Sequence, residues 1–311
     1  MGHLLILIKV NKGLALIVVL WVITLLTIMA SSFALTMQRE TAIIGGLKEA
    51  AQAAALAEGG INFGILMLLN TDTEKRWQAN SSLYEIQFAG SRIRILIADE
   101  SGKVNVNLAS KEQLQQLFES LAVEESSADS LSDAIIDWRD KNESPEINGA
   151  EQSQYESADL KYSPRNDQFK SVEEVQMVLG MTAEIYKQLE AKISVYTRNK
   201  KINPMTASRE VLLTLPDVNK EMVDEYLLQR AENERNGEKV VKPDWYSGGS
   251  NSDVYMIVAE AMIAEGISEK IMAIMKRGKA NNGLPFEILK WVEDYPVSSL
   301  FSPGNDERVI N

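Results

Sequence analysis

Apolar and polar residues alternate along the chain in four different ways. From Gly13 to Leu35 (GLALIVVLWVITLLTIMASSFAL) no residue is charged; Lys9 and Lys12 precede the run, and Arg39 and Glu40 follow it. A helix rising ~1.5 Å per residue needs roughly 20 apolar residues to cross a ~30 Å hydrocarbon core, so Leu14 to Leu35 predicts a membrane span. The run exceeds the roughly 7–15 apolar residues of a secretory signal, and the Lys12-Gly13 pair stands before it, where signal peptidase does not cut. With the lysines ahead of the span, the amino terminus is expected in the cytoplasm and the large remainder outside it.

Past Leu35 the apolar residues continue at spacings of three and four in Ala-rich sequence, so one helix over 14–69 is predicted to leave the membrane and enter the folded part. Gly45-Gly46 and Gly59-Gly60 predict either softened turns or close packing there. Period-two alternation then takes over: Leu83–Phe88 and Ser91–Ala98 read as a hairpin about Ala89-Gly90, followed by a short extended VNVN. From Ala109 the period is helical again, over 110–121, 130–140, 171–180 and 182–193, with Ser110/Gln113 and Ser171/Glu174 fitting capping boxes. The segment Lys141–Lys170 reads as a polar loop, too long for a plain connection. Asn105…Ala109-Ser110-Lys111-Glu112 is echoed by Asn203…Ala207-Ser208-Arg209-Glu210, which implies either two related units or one turn-to-helix cap used twice. Helical patterning ends near Arg235, and strands return over 253–264, 270–278 and 286–295, the last two separated by Asn281-Asn282-Gly283-Leu284-Pro285. Strands on both sides of a helical block predict an α+β fold, because sheet pieces far apart in sequence can bury their apolar faces together. Trp138, Trp245, Trp291 and the strand residues Met256, Met262, Met272 and Met275 are assigned to core or interface.

Composition narrows the chemistry. The formal charge of −12 becomes −14 without Lys9 and Lys12, with 30 basic against 44 acidic residues, which disfavours nucleic acid. There is no cysteine, and the one histidine, His3, precedes the span. Serine and cysteine triads and thiolate metal sites are thereby excluded downstream, leaving carboxylate, lysine or metal–oxygen chemistry. No nucleophile and base stand out as a pair, so no enzyme is predicted.

Lys12-Gly13 followed by Leu14-Ala15-Leu16-Ile17-Val18 resembles the leader junction of type IV pilins and pseudopilins. The resemblance implies cutting by a prepilin peptidase between Gly13 and Leu14, with N-methylation of Leu14. The fifth mature position, usually a glutamate that neutralises the neighbouring subunit's amine, is Val18 here, and one class of members lacks that glutamate. Further motifs follow in order: Ile135-Ile136-Asp137-Trp138-Arg139-Asp140, Asn148-Gly149-Ala150-Glu151, Tyr155, Phe169-Lys170-Ser171-Val172-Glu173-Glu174-Val175, Gly180-Met181, Ile202-Asn203-Pro204 and Arg209-Glu210-Val211-Leu212-Leu213. From about Gly13 to Trp291 the chain resembles the minor pseudopilin K family of type II secretion systems.

That resemblance implies a pseudopilin fold, in which a long N-terminal transmembrane helix packs on an antiparallel sheet, carrying a large all-helical insertion. The expected boundaries are 1–13 leader, 14–35 transmembrane within helix 14–69, 70–107 first β part, 108–235 insertion, 236–295 second β part and 296–311 tail. It implies a single-pass inner-membrane protein with its C-terminal domain in the periplasm, at the tip of a pseudopilus, where it helps initiate assembly and supports export of folded exoproteins. The implied partners are minor pseudopilins I and J, the major pseudopilin, the prepilin peptidase, the inner-membrane assembly platform and exoprotein cargo. The lack of a glutamate at Val18 and the bulk of the insertion both suit a subunit with nothing stacked above it.

The family also has calcium in the insertion. Asp137, Asp140, Glu143 and Glu151 are the expected ligands, with Asn142 and Glu146 nearby, since calcium takes hard oxygen donors. The other reading is a solvated acidic loop with Asp140 paired to Arg139 or Lys141. Leu215-Pro216-Asp217-Val218 resembles a helix-hairpin-helix turn, but Asp217 and Asn219 stand where glycines are expected, and a carboxylate there opposes phosphate binding. A minor pilin of a type IV pilus or competence system is the alternative, and a membrane-anchored periplasmic nucleic-acid-binding protein a further one.

Overall fold

The computed structural model describes residues 12–236, 238–248, 253–264, 266–278 and 285–310, with the backbone alone at 12–14, 264 and 307–308. Helix α1 (Lys12–Leu68) runs 57 residues, ~86 Å at the standard rise, unbroken through both glycine pairs. It is the one helix among the described residues long and apolar enough to cross a membrane, and its most apolar window is wholly exposed. Exposure continues through Ile43, Ile44 and Leu47, whereas Ala53, Ala57 and Ile61 are fully buried against the sheet. Gly60 explains the close approach: a Cβ there would stand 2.8 Å from the Ile93 side chain and 3.0 Å from the Ala259 Cβ. Gly45, Gly46 and Gly59 meet nothing within 4 Å, so close packing accounts for only one of the four.

Strands β1 (Asn80–Phe88) and β2 (Ser91–Asp99) form the expected hairpin, with Ala89 and Gly90 both at positive φ as a tight two-residue turn requires. The helical block follows. It comprises β3 (Val104–Asn105), α2 (Lys111–Ser120), α3 (Glu125–Arg139), α4 (Gln152–Ser157), α5 (Ala183–Leu189), β4 (Ile193–Ser194), α6 (Arg209–Leu212) and α7 (Lys220–Arg235). The chain then returns through β5 (Val254–Ala264), β6 (Ile267–Arg277), β7 (Phe286–Glu293) and β8 (Val309–Ile310). The main sheet has the order β7-β6-β5-β2-β1-β8, and antiparallel pairing of Arg92–Asp99 with Tyr255–Met262 joins the early hairpin to the late meander. This is the expected α+β pseudopilin fold.

Alternation gives the sheet two cores. Ile93, Ile95, Ile97, Ile257, Ala259, Ile271, Ala273 and Met275 pack toward α1, while Val258, Met272 and Ile274 pack with Leu300 on the opposite face. Met256 and Met262 are half-buried on that second face, and Trp291 packs against the α1 side. The helical block has its own core about Trp138, Tyr155, Phe118, Leu117 and Ile135, with Trp245 packed at its margin.

Several expectations are corrected. Lys141–Lys170 is not a solvated loop: it contains α4 and buries Glu151, Tyr155 and Phe169. Val172–Met177 is 3₁₀, and Ser171 makes no side-chain cap, because Glu174 is drawn inward to Trp138, Arg165 and the Lys170 amide. The tail after 296 is part of the sheet, since β8 pairs in parallel with Leu83 and Tyr84. The echo is one turn-to-helix cap formed at both places: Ser110 Oγ accepts from the Gln113 amide and Ser208 Oγ from the Val211 amide, and the Ala109 and Ala207 amides donate to the Asn105 and Asn203 carbonyls. The turn residues 281–284 lie outside the described residues.

Candidate functional site

The leader, including His3 and Lys9, lies outside the described residues. Helix α1 already includes Lys12, Gly13 and Leu14 in its backbone, and Val18 sits in the exposed span at 55 % exposure. Nothing in the helix distinguishes position 18 from its apolar neighbours, so its meaning rests on residue type alone.

The acidic cluster is built at the C-terminal end of α3. Asp133 and Asp137 lie one turn apart on the inward face of that helix and are fully buried. The chain then leaves the helix at Asp140 and folds back so that the Glu146 amide donates to Asp137 Oδ1 at 3.1 Å and the Asn148 amide to Asp133 Oδ2 at 3.1 Å. Gly149 is required by contact: a Cβ there would stand 1.9 Å from Asp137 Oδ2. Two residues on, Glu151 precedes α4 with its backbone amide held by Gln154, and its side chain is 3 % exposed.

Four carboxylates are buried here, and cations reach only two. Asp133 pairs with Lys111 at 2.5 Å, and Glu174 pairs with Arg165. Burial pulls the Glu174 carboxyl upward, but hydrogen bonds from Arg165, the Lys170 amide and Trp138 outweigh it and hold the group below its ordinary range. Asp137 and Glu151 have no such partner. Burial, against the backbone amides of Glu146 and Ala150 and reinforced by the charges of Asp140 and Glu146, pushes Asp137 up to about 6. Burial and then the charges of Asp137, Asp140 and Glu143 push Glu151 up to about 7. The Glu151 carboxylate faces the Gln154 amide in a capping box at the start of α4, but neither of its oxygens makes a close hydrogen bond.

Arg139 does not relieve this field. Its guanidinium donates to the carbonyls of Val106 and Ala109, while Asp140 accepts from the amide and side chain of Asn142. The pairing of Asp140 with Arg139 or Lys141 is therefore absent among the described residues. A cavity of about 100 Å³ opens beside Glu151, lined also by Glu143, Ser163, Arg165 and Asn166. Asn166, held at φ 52°, donates to Glu143 at 3.1 Å and leaves its own buried Oδ1 without a donor. The sequence reading missed Asn166, because one asparagine in a polar segment is indistinguishable from Asn142 or Asn148 until the chain folds. Of the expected ligands, Glu143 and Glu151 share the cavity wall, Asp137 lies buried behind it, and Asp140 stands at the helix end. Among the described residues no three acidic side chains converge on one point.

At Leu215–Val218 the turn places Asp217 at φ 62°, the left-handed conformation that a glycine would otherwise supply, and Asn219 caps α7 through the Met222 amide. The turn is taken up by helix capping.

Residues 93–198 match the model of the family described as type II secretion system (T2SS), protein K. A type II secretion system protein K of Pseudomonas aeruginosa is 27 % identical over 234 residues, covering 67 % of this chain and 69 % of that protein. One from Dickeya chrysanthemi is 27 % identical over 158 residues, covering 42 % of this chain and 44 % of that protein. In fold the chain is similar to a chain from the crystal structure of the GspK–GspI–GspJ complex of the enterotoxigenic Escherichia coli type 2 secretion system. The TM-score is 0.53 at 17 % identity, with 83 % of this chain and 98 % of that one covered.

Proposed function

We propose that this chain, similar to type II secretion system protein K in sequence and fold, is a minor pseudopilin of that family and sits at the pseudopilus tip, a non-enzymatic subunit that helps initiate assembly and supports export of folded exoproteins. The observation that carries this is the long exposed rod of α1 ending in a sheet domain with a bulky helical block. A rod exposed over more than its membrane length needs neighbours of the same kind, since the stretch between Leu35 and Ala53 leaves Ile43, Ile44 and Leu47 uncovered. Val18 supplies no charge for the amine of a subunit above. The partners on this reading are minor pseudopilins I and J, the major pseudopilin, the prepilin peptidase, the inner-membrane platform and exoprotein cargo. The span anchors the chain once in the inner membrane with its sheet in the periplasm.

The test is the amino terminus. Mass spectrometry of membrane-extracted protein should find a chain starting at Leu14 with one added methyl group, and the unshortened chain in cells lacking prepilin peptidase. A mature-length chain in those cells would overturn the reading.

Calcium in the helical block belongs to the same proposal. The donors present fit a hard cation: Glu151 with two unsatisfied buried oxygens, Glu143, the orphaned Asn166 oxygen, and Asp137 behind them. These side chains would hold the ion, which would draw its remaining oxygen donors from outside the carboxylates. The ion would supply the positive charge that Lys111 and Arg165 supply to the other two buried acids, and would fix the fold-back of 140–151 on α3.

A further inference from the structure

Arg94 and Glu260 are direct partners across the β2–β5 ladder, on the sheet face turned away from α1, and both are almost fully buried at 4 % and 2 % exposure. Charges so placed are costly unless hydrogen-bonded, and these two find their partners in the C-terminal tail. Arg94 donates to the Leu300 carbonyl at 2.8 Å and to Asp306 at 2.7 Å, keeping Glu85 as a third partner at 2.7 Å. Glu260 accepts from the Leu300 amide at 2.5 Å and from Ser299 and Ser268. Two opposite charges thus hold both backbone groups of a single residue. The Leu300 side chain drops into the outer core, and the Phe301 ring lies against the guanidinium groups of Arg92 and Arg94 at 5.0 and 4.7 Å.

Beyond this clamp the tail reaches β1, where Val309–Ile310 pairs with Leu83–Tyr84. Lys270 donates to the carbonyls of Val297 and Ser298, yet the strap stays partly open to solvent: Val297 and Ile310 are 43 % and 48 % exposed, and the Asp306 side chain 62 %. The two sheet edges differ accordingly. The β7 edge is broken by an irregularity beside Leu289 and carries Glu287, Lys290 and Glu293, the usual devices against unwanted pairing. In β1 the irregularity is confined to its start, at Ser81, and the only charge is Glu85, spent on Arg94, so past that start β8 is what covers the edge, at Leu83 and Tyr84.

We propose that the face carrying Arg94 and Glu260 is a clamp for an extended peptide, that residues 297–310 are its resident ligand, and that this strap closes the β1 edge to strand addition by a second copy of the chain. The test uses the whole detergent-solubilised protein and a variant lacking 297–311, read by hydrogen exchange over 80–88 and by sedimentation. Loss of the strap should speed exchange in β1 at least tenfold and convert monomer to dimer. A synthetic peptide of residues 295–311 should reverse both, and the same peptide carrying Leu300→Asp should not. Unchanged β1 exchange, or association that the peptide leaves intact, overturns the proposal. Should the deletion also loosen β6, the double variant Phe301→Ser/Asp306→Ala decides: faster exchange confined to β1 and the strap supports the clamp, and exchange equal to the unaltered chain overturns it.

Discussion

Asp137 and Glu151 are each held by a fold that would rather have them neutral. Their folded values, about 6 and about 7, lie above the ordinary 3.8 and 4.5, so the protonated forms suit the fold better than the ionised ones. Below pH ~4 both are neutral in either state; as pH rises through 6 and 7, keeping them folded and charged costs stability. Each tenfold gain in proton affinity on folding corresponds to about 1.4 kcal/mol, so each group removes on the order of 3 kcal/mol by pH 8. In chelator, the melting temperature of the helical block is therefore expected to fall from pH 5 to pH 8. Glu151→Gln should flatten that fall, while saturating calcium should reverse it, because the cation binds the ionised pair. A pH-independent melting temperature in chelator would show that these carboxyls are not the strained ones. The aspartate was legible from its place in a motif; the orphaned oxygen of Asn166 was not, because it depends on which residues surround the side chain.

Within α1 the adjacent glycines Gly59 and Gly60 separate helix propensity from packing. At Gly59 the missing Cβ meets nothing within 4 Å, so Gly59→Ala should stabilise by up to about 1 kcal/mol through propensity alone. Gly60→Ala gains the same propensity but drives a methyl to 2.8 Å from Ile93 and 3.0 Å from the fixed Cβ of Ala259; overpacking of about 1–3 kcal/mol should leave it net destabilising. Thermal melts of the two variants in the same detergent check the opposite signs. At this scale the sequence was informative wherever one period ran long: α1, the β1–β2 hairpin and the β5–β7 meander were readable from apolar spacing. It was least informative where a short element is fixed from outside. Helix α4 is the polar string QSQYES, held by one buried Tyr155 whose hydroxyl takes the Leu179 amide at 2.8 Å, and β8 is two residues placed by the strap. Neither carries a period long enough to read.

The molecule as a whole contains a sheet sandwiched between α1 and the strap, and a helical block with a separate core. Among the described residues the links between them are few. Asn203 donates to Asp99 at 2.9 Å and to the Ser101 carbonyl at 2.8 Å, Lys290 pairs with Glu173, Asn80 reaches Glu234 at 3.3 Å, and Tyr196 packs on the outer sheet core. Two cores joined this sparsely are expected to unfold as two cooperative units. Calorimetry of the solubilised protein should then resolve two transitions. Chelation should lower only the transition belonging to 104–235, since Asp137, Glu143, Glu151 and Asn166 all lie in that block, and Gly60→Ala should lower only the other. A single transition that moves as one with either change would mean that the Asp99–Asn203 and Glu173–Lys290 links couple the cores fully, so that a cation bound in the helical block would also stabilise the sheet that carries α1.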